Sequence, residues 1–281
     1  MEKKVAFLCD SSADISEEEA KQLGIYVLRM PVIIEGNEYL EGINIFDEDI
    51  LVALREQKKI TTTQPSIGEI VRKWDELLEE YDQVFYLPLS KALSGTCASA
   101  IRLANESYNG KVFVVDSTFV CYPVIYMLET AKKMLEKGYS CEEIKQKIEQ
   151  EGELYAILIP RDLTALKNGG RISPAAAALA GMLKIHPLLK VENGGIDVQD
   201  KVRTAQRAYK AGIECVCKNV DPKEYDWMII HADNEELCDE LRKQLEEATG
   251  CPVDKRVFKS VIMSHTGAGT IGFGRIRRLQ F

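Results

Sequence analysis

Four clusters of hydroxyl-bearing and glycine residues interrupt an otherwise apolar, alternating sequence. They are Thr62-Thr63-Gln64-Pro65-Ser66, Leu93-Ser94-Gly95-Thr96, Lys167-Asn168-Gly169-Gly170-Arg171-Ile172 and His265-Thr266-Gly267-Ala268-Gly269-Thr270. Hydroxyl groups donate hydrogen bonds to anions, and glycine allows the backbone to approach a ligand closely. Together these clusters predict a pocket that holds an anionic head group.

The Ser94-Gly95-Thr96 cluster lies between a predicted strand and a predicted helix. The first N–H groups of that helix would point at whatever fills the crevice, and its dipole favours an anion there. The alternative is that Ser94 only caps the helix, a common role for serine at such a junction. Ser66 has the same alternative, because it forms a capping box with Glu69. Thr62 is not explained by a cap.

The two glycine-rich clusters of the second half match no nucleotide-binding motif. Gly169-Gly170-Arg171 lacks the Walker spacing, and the loop after His265 lacks the Gly-x-Gly-x-x-Gly spacing. Arg171 offers a fixed fork of donors for a carboxylate or phosphate, although a helix C-cap beside a surface arginine is an equal alternative. A lone histidine is more often structural than catalytic, and we assign His186 and His231 to that class.

The elements that must position these clusters alternate between strand and helix in the first half. Apolar runs at residues 5–9, 25–34, 84–87 and 112–115 predict strands. Helices are predicted to begin at the caps Ser16, Asp47 and Ser66, and another begins after Ser94. A further helix is predicted from residue 124 to 135. This order indicates a mostly parallel sheet covered on both faces, with ligands beyond the carboxyl ends of its strands.

The pattern changes near residue 152. Shorter elements follow, with a hairpin signal at Asn193-Gly194-Gly195 between residues 188–191 and 196–198. We therefore predict an N-terminal α/β domain over residues 1–152 and a second α/β domain with more antiparallel pairing over residues 153–281. A chain of 281 residues with 46% hydrophobic content has room for two such cores.

Composition excludes several functional classes. The net charge of −8 argues against a general nucleic-acid binder. No apolar run reaches the length of a membrane span. We expect no signal peptide, because the apolar run at residues 5–9 is too short and no small-residue cleavage site follows it. The eight cysteines show neither Cys-x-x-Cys spacing nor a compact disulfide framework. We therefore expect a cytoplasmic protein with free thiols, no metal site and no cofactor.

The clusters, taken in order along the chain, resemble the DegV family, and the resemblance runs nearly end to end. The matching segments are Asp10-Ser11-Ser12-Ala13-Asp14, Thr62 to Ser66, Leu93 to Thr96, Leu163 to Ile172, Pro187-Leu188-Leu189, Asn193-Gly194, Arg203-Thr204 and His265-Thr266-Gly267. Two positions depart from the family pattern. Thr63 stands where serine is usual, and Ala268 replaces a common proline.

The resemblance implies an α/β fold in which a three-layer, mostly parallel sheet domain is joined to a two-layer α/β domain with a mixed sheet. It also implies a fatty-acid-binding protein that is a non-catalytic subunit of a bacterial fatty acid kinase. A separate ATP-dependent kinase subunit would phosphorylate the bound carboxylate, and the resulting acyl phosphate would feed phospholipid synthesis.

The same resemblance assigns roles to individual residues. Thr62, Ser94 and Gly95 correspond to positions that hold the carboxylate. Head-group or phosphate contacts are further implied for Thr63, Thr96, Arg171, His265 and Thr266, and Arg203 would lie near the phosphate or the kinase contact. The residues that line the tail form no motif, so chain-length preference stays open.

An enzyme is the competing interpretation. Ser94 would be a nucleophile and His265 its base, in acyl hydrolysis or acyl transfer. The sequence around Ser94 lacks the Gly-x-Ser-x-Gly elbow, and no acidic partner for His265 is identifiable. We therefore predict no turnover by the isolated chain.

Overall fold

The computed structural model describes residues 3–180 and 185–281. Its strands are β1 Val5–Asp10, β2 Ile25–Leu28, β3 Pro31–Ile34, β4 Asn37–Leu40, β5 Ile60–Thr62, β6 Gln83–Leu87, β7 Val112–Val114, β8 Leu154–Ile159, β9 His186–Glu192, β10 Gly195–Val202, β11 Tyr225–His231, β12 Val253–Val257 and β13 Ile271–Arg277. Its helices are α1 Glu17–Gln22, α2 Asp47–Arg55, α3 Ile67–Glu80, α4 Thr96–Ser107, α5 Pro123–Glu136, α6 Cys141–Glu151, α7 Thr164–Gly169, α8 Pro174–Ala177, α9 Ala205–Cys217, α10 Glu235–Thr249 and α11 Ser260–Thr266.

The first sheet is parallel throughout and has the order β2-β1-β6-β7. One face packs against α3 and α4, where Trp74 meets Tyr86. The other face packs against α5 and α6, where Phe85 shares a cluster with Leu128. Side chains on both faces of β6 are buried, which explains why the strand reads as a continuous apolar run. The predicted three-layer arrangement is confirmed.

A small antiparallel sheet of order β4-β3-β5 was not predicted. The single strand expected over residues 25–34 is wrong, because the chain leaves the parallel sheet after Leu28 and starts a new strand at Pro31. The Ser11 hydroxyl accepts the Met30 N–H at 3.0 Å at this crossing. Pro31 has no N–H to donate and stands at a strand start, where proline is tolerated.

The cap predicted at Asp47 is also displaced by one residue. Phe46 is the N-cap of α2 and Asp47 is its first helical residue. The Asp49 carboxylate accepts the Phe46 N–H at 2.9 Å. Asp47 instead accepts hydrogen bonds from Lys259 and Ser260, which tie α2 to the start of α11.

The second large sheet has the order β10-β9-β8-β13-β11-β12, and every pair except β11 with β12 is antiparallel. The predicted hairpin is confirmed, with Ile196 paired to Val191. Helices α9 and α10 cover one face through side chains such as Ile213 and Leu241. The opposite face is turned toward the first half of the chain, and Leu158 shares a cluster with Met30.

The domain boundary at residue 152 remains a prediction. Strands of the parallel and three-stranded sheets end before residue 115, and the six-stranded sheet begins at Leu154. Two apolar clusters cross that boundary, one of them joining Phe7 to Met228 and Ile276. Among the residues that the structure describes, no helix is long and apolar enough to cross a bilayer.

Candidate functional site

A mostly apolar cavity lies between the two halves of the chain. The space between its walls is about 930 Å³ when the open solvent at its mouth is included. Met30, Leu89 and Val120 line it from the first half. Leu158 and Ile230 line it from the six-stranded sheet. Such a lining suits an extended hydrocarbon, because it removes apolar surface from water along the whole length.

Buried polar side chains gather at one end of this cavity. The Thr62 hydroxyl, at the end of β5, lies 2.7 Å from Nε2 of His265 in α11. Both residues line the cavity and are less than a tenth exposed. Thr266 follows on α11, is 5% exposed, and its hydroxyl has no hydrogen-bond partner among the described residues. An unpaired buried hydroxyl is costly, so this end is suited to a polar ligand group.

His265 is held as a neutral imidazole. Burial, reinforced by the positive charge of Arg171, lowers the pKa of His265 to about 4. Nδ1 has no hydrogen-bond partner in the described part of the chain and packs on Gly169, where a Cβ would lie 2.2 Å away. We assign the proton to Nε2, because an unpaired N–H is rarer than an unpaired acceptor. Nε2–H then donates to Thr62, whose own O–H is left for a ligand.

This assignment predicts that His265 stays uncharged from about pH 5 to pH 8, since its folded pKa lies below the roughly 6.5 of a free imidazole. Charging it would favour the unfolded state, so its contribution to stability falls as the pH drops from about 6.5 toward 4. Nitrogen-15 NMR of labelled protein should show a neutral imidazole with its proton on Nε2 from about pH 5 to pH 8. His265→Gln identifies the signal, and a midpoint near pH 6.5 would contradict the assignment.

The loop that contains Ser94, Gly95 and Thr96 combines the two roles considered for Ser94, a helix cap and a ligand contact. Its hydroxyl accepts the Thr96 N–H at 3.3 Å, as a cap would, and Ser94 also lines the cavity. Thr96 is fully buried, and its hydroxyl lies 2.9 Å from that of Ser94. Gly95 is the N-cap of α4, and a Cβ there would lie 2.5 Å from Gln64 Oε1. The loop that carries Gln64 therefore lies against the loop that carries Ser94 and Gly95.

Arg171 is half-buried at the cavity rather than free on the surface. Its guanidinium donates to the carbonyl of Gly169 and, at 3.4 Å from Nε, to that of Leu93. These bonds fasten the end of α7 to the Ser94 loop. Arg171 therefore places a positive charge beside the polar end of the cavity while two of its five N–H donors hold backbone carbonyls.

Four of the nine predicted site residues lie outside the cavity lining, namely Thr63, Gly95, Thr96 and Arg203. Thr63 is exposed, and its N–H donates to Pro31 O at 3.1 Å. Arg203 is exposed and shares a surface with Lys201, Arg207 and Lys210. We refer to these four residues as the basic surface.

The geometry bears on the hydrolase alternative. His265 Nε2 contacts Thr62, and the hydroxyl of Ser94 is paired with Thr96. The other ring nitrogen of His265 faces Gly169 instead of a carboxylate. A nucleophile, its base and an orienting acid must form a connected chain of hydrogen bonds, and these contacts follow a different route.

Sequence reasoning missed two glycines that form the floor of the cavity. Gly272 and Gly274 alternate with Phe273 in β13, a central strand of the six-stranded sheet, and both line the cavity. Glycine weakens a strand interior and often marks a place where another group approaches the backbone. The Gly-x-Gly pattern inside an apolar strand was the available signal.

Comparison with known proteins gives a consistent family. A family model described as "Uncharacterised protein, DegV family" matches residues 4–278. A DegV domain-containing protein of Streptococcus pneumoniae is 33% identical over 97% of this chain and 99% of its own length. A fatty-acid-binding DegV family protein of Thermus thermophilus has 28% identity and a TM-score of 0.85 over 98% of this chain and all of its own. DegV of Bacillus subtilis, described as a fatty acid binding protein, has 27% identity and the same TM-score and coverages.

Proposed function

Because the chain belongs to the DegV family, we propose that it binds a long-chain fatty acid and presents the carboxylate to a separate ATP-dependent kinase subunit. The observation that carries the proposal is an apolar cavity that ends at the buried hydroxyls of Thr62 and Thr266. Similar structures described as fatty-acid-binding support the same ligand. The tail would lie on the six-stranded sheet and the carboxylate at the Thr62 end.

The two parts of such a ligand contribute differently to affinity. A tail of about sixteen carbons gains roughly 0.8 kcal/mol per buried methylene, of order ten kcal/mol before ordering costs. Burying the carboxylate without donors would cost several kcal/mol, and charge-assisted hydrogen bonds return a similar amount. The tail therefore dominates retention, whereas the polar end fixes where the carboxylate lies.

The polar end is arranged to hold a carboxylate without neutralising it. Thr62 donates one hydrogen bond because His265 Nε2–H satisfies its oxygen. Ser94 supplies a second hydroxyl, and Gly95 is at the N-terminus of α4, whose dipole favours an anion. Arg171 contributes its positive charge beside the polar end, where its Nε–H and one Nη1–H hold backbone carbonyls. Thr96 supports Ser94 and does not need to touch the ligand.

In the proposed reaction a carboxylate oxygen attacks the γ-phosphorus of ATP bound to the partner. The new C–O–P linkage forms as the bond to the ADP oxygen breaks, which gives acyl phosphate and ADP. This chain contributes orientation and exclusion of water from the polar end. We accordingly propose a non-catalytic subunit of two domains, 1–152 and 153–281, working in the bacterial cytoplasm, where the acyl phosphate feeds phospholipid synthesis.

The ligand is tested by solvent extraction of freshly purified protein followed by mass spectrometry. We expect a long-chain acid in one-to-one ratio with the chain. An empty protein that also fails to take up added acids would overturn the proposal. If the protein alone hydrolysed activated acyl esters and Ser94→Ala abolished that activity, the acyl hydrolase interpretation would be favoured.

The basic surface is proposed as the contact with the kinase, since Arg203 lies outside the cavity lining and is exposed. Arg203→Glu should slow acyl phosphate formation by about tenfold or more at low salt, because charge pairs across an interface govern encounter. Bound acid, measured by extraction, should not change. Arg102→Glu makes the same charge change at an exposed position of α4 and is the control. Equal rates in the two variants would remove this surface from the proposal.

A further inference from the structure

The floor of the cavity consists of paired residues in three successive rows across β8, β13 and β11. Row one is Leu158, Gly272 and Ile230, row two is Ala156, Gly274 and Met228, and row three begins with Leu154 and Ile276. Every member of rows one and two lines the cavity, as does Leu154. Residues two apart on a strand point to the same face, so successive rows are separated by about 7 Å.

The direction of these rows relative to the polar end follows from the chain path. Ile271, at the start of β13, pairs with Ile159, at the end of β8. β13 is preceded by α11, which carries His265, and β8 continues into α7, which carries Gly169 beside His265. Row one is therefore nearest to the polar end and row three is farthest.

The rows differ in width and in how they can adapt. A Cβ on Gly272 would lie 2.9 Å from Ile230 Cγ2 and 3.5 Å from Leu158 Cδ1, both on branched side chains. A Cβ on Gly274 would lie 3.1 Å from Met228 Cγ and 3.5 Å from the small Ala156. Methionine is unbranched and fits irregular shapes. Row two is therefore the wider and more adaptable position.

Row three closes the path. Leu154 is 6% exposed and Ile276 is fully buried. Both belong to the apolar cluster that contains Phe7 and Leu128, which Met228 of row two also joins. Ile276 lies outside the cavity lining, so the floor runs into packed core at row three. At the opposite end the Thr266 hydroxyl, which has no partner in the described part of the chain, marks where the polar group of the ligand must stop. A tail between these two limits has a fixed span.

We infer that row two sets the longest acyl chain that the protein accepts. The methyl end of the tail lies over Ala156, Gly274 and Met228, and Leu154 stops further carbons. This inference rests on the proposed function and adds a specificity determinant to it. The tail of every acid long enough to be retained passes row one. Row one therefore contributes to affinity but not to selection of chain length.

The test compares the affinities of dodecanoic and octadecanoic acid in three proteins. Gly274→Ala places a methyl group where only the longer tail reaches, so octadecanoic acid should lose affinity by about fourfold or more, and dodecanoic acid should not. Gly272→Ala is the matched control, because a methyl group in row one should weaken both acids alike. An unchanged ratio of the two affinities in Gly274→Ala would overturn the inference.

A second variant acts in the opposite direction and does not depend on adding a group. Leu154→Ala removes the stop, so eicosanoic acid should gain affinity relative to hexadecanoic acid. Circular dichroism confirms that each variant is folded before it is compared. Binding of no acid by the unaltered protein would refute the proposed function itself, whereas binding with the same length preference in all variants would refute only the role of row two.

Discussion

Replacing Thr62 by valine together with Ser94 by alanine is expected to lower acyl phosphate formation by about 10²–10³-fold, the effect of removing positioned donors from a reacting oxygen. The amount of bound acid should fall much less, because the tail supplies most of the binding free energy. Valine keeps the shape of threonine and removes only the hydroxyl that lies 2.7 Å from His265 Nε2. The two quantities are measured with ATP and a fatty acid kinase catalytic subunit, and by extraction with mass spectrometry.

Thr63→Val is the matched control for this experiment. It makes the same chemical change one residue away, on an exposed side chain outside the cavity lining. We expect it to leave both the transfer rate and the bound acid unchanged. If the double variant loses bound acid and acyl phosphate formation to the same extent, the hydroxyls contribute to retention and the proposed division between head and tail is wrong.

Gly169→Ala is expected to disable the polar end without unfolding the protein. The added methyl group would lie 2.2 Å from Nδ1 and 3.0 Å from Cε1 of His265, so the imidazole must move. The Thr62 hydroxyl then loses its donor and turns away from the ligand, because its oxygen needs another partner. We expect acyl phosphate formation to fall by about 10²-fold, comparable to loss of a positioned donor.

Gly170→Ala separates this steric effect from a general effect on the loop. Gly170 has a φ of +67°, and a Cβ there would meet no atom of residues 3–180 or 185–281 within 4 Å. Alanine in that conformation costs about 1 kcal/mol of stability and leaves His265 in place. Thermal unfolding should therefore detect Gly170→Ala, whereas the transfer assay should detect Gly169→Ala. Normal transfer in Gly169→Ala would show that the position of His265 is unimportant.

Much of the fold could be predicted because local signals and tertiary packing agree. Ser66 and Glu69 predicted the start of α3, and the structure has the complete capping box there. The Asn193-Gly194 turn predicted a hairpin with the observed pairing. The three-stranded sheet could not be predicted from residues 25–34, since the apolar pattern runs on through the point where the chain changes sheets.

The sequence by itself determined the chemistry of the site, because hydroxyls, a histidine, an arginine and their glycines are fixed by residue type and stand in a recognisable order. Only the tertiary structure decided which of them meet. Thr62 and Thr63 are chemically identical neighbours, yet Thr62 ends β5 and reaches His265, 203 residues away, while Thr63 follows the strand and is exposed. The space for a tail is likewise absent from any local pattern, because a cavity is set by side chains packed from three strands and from the other half of the chain.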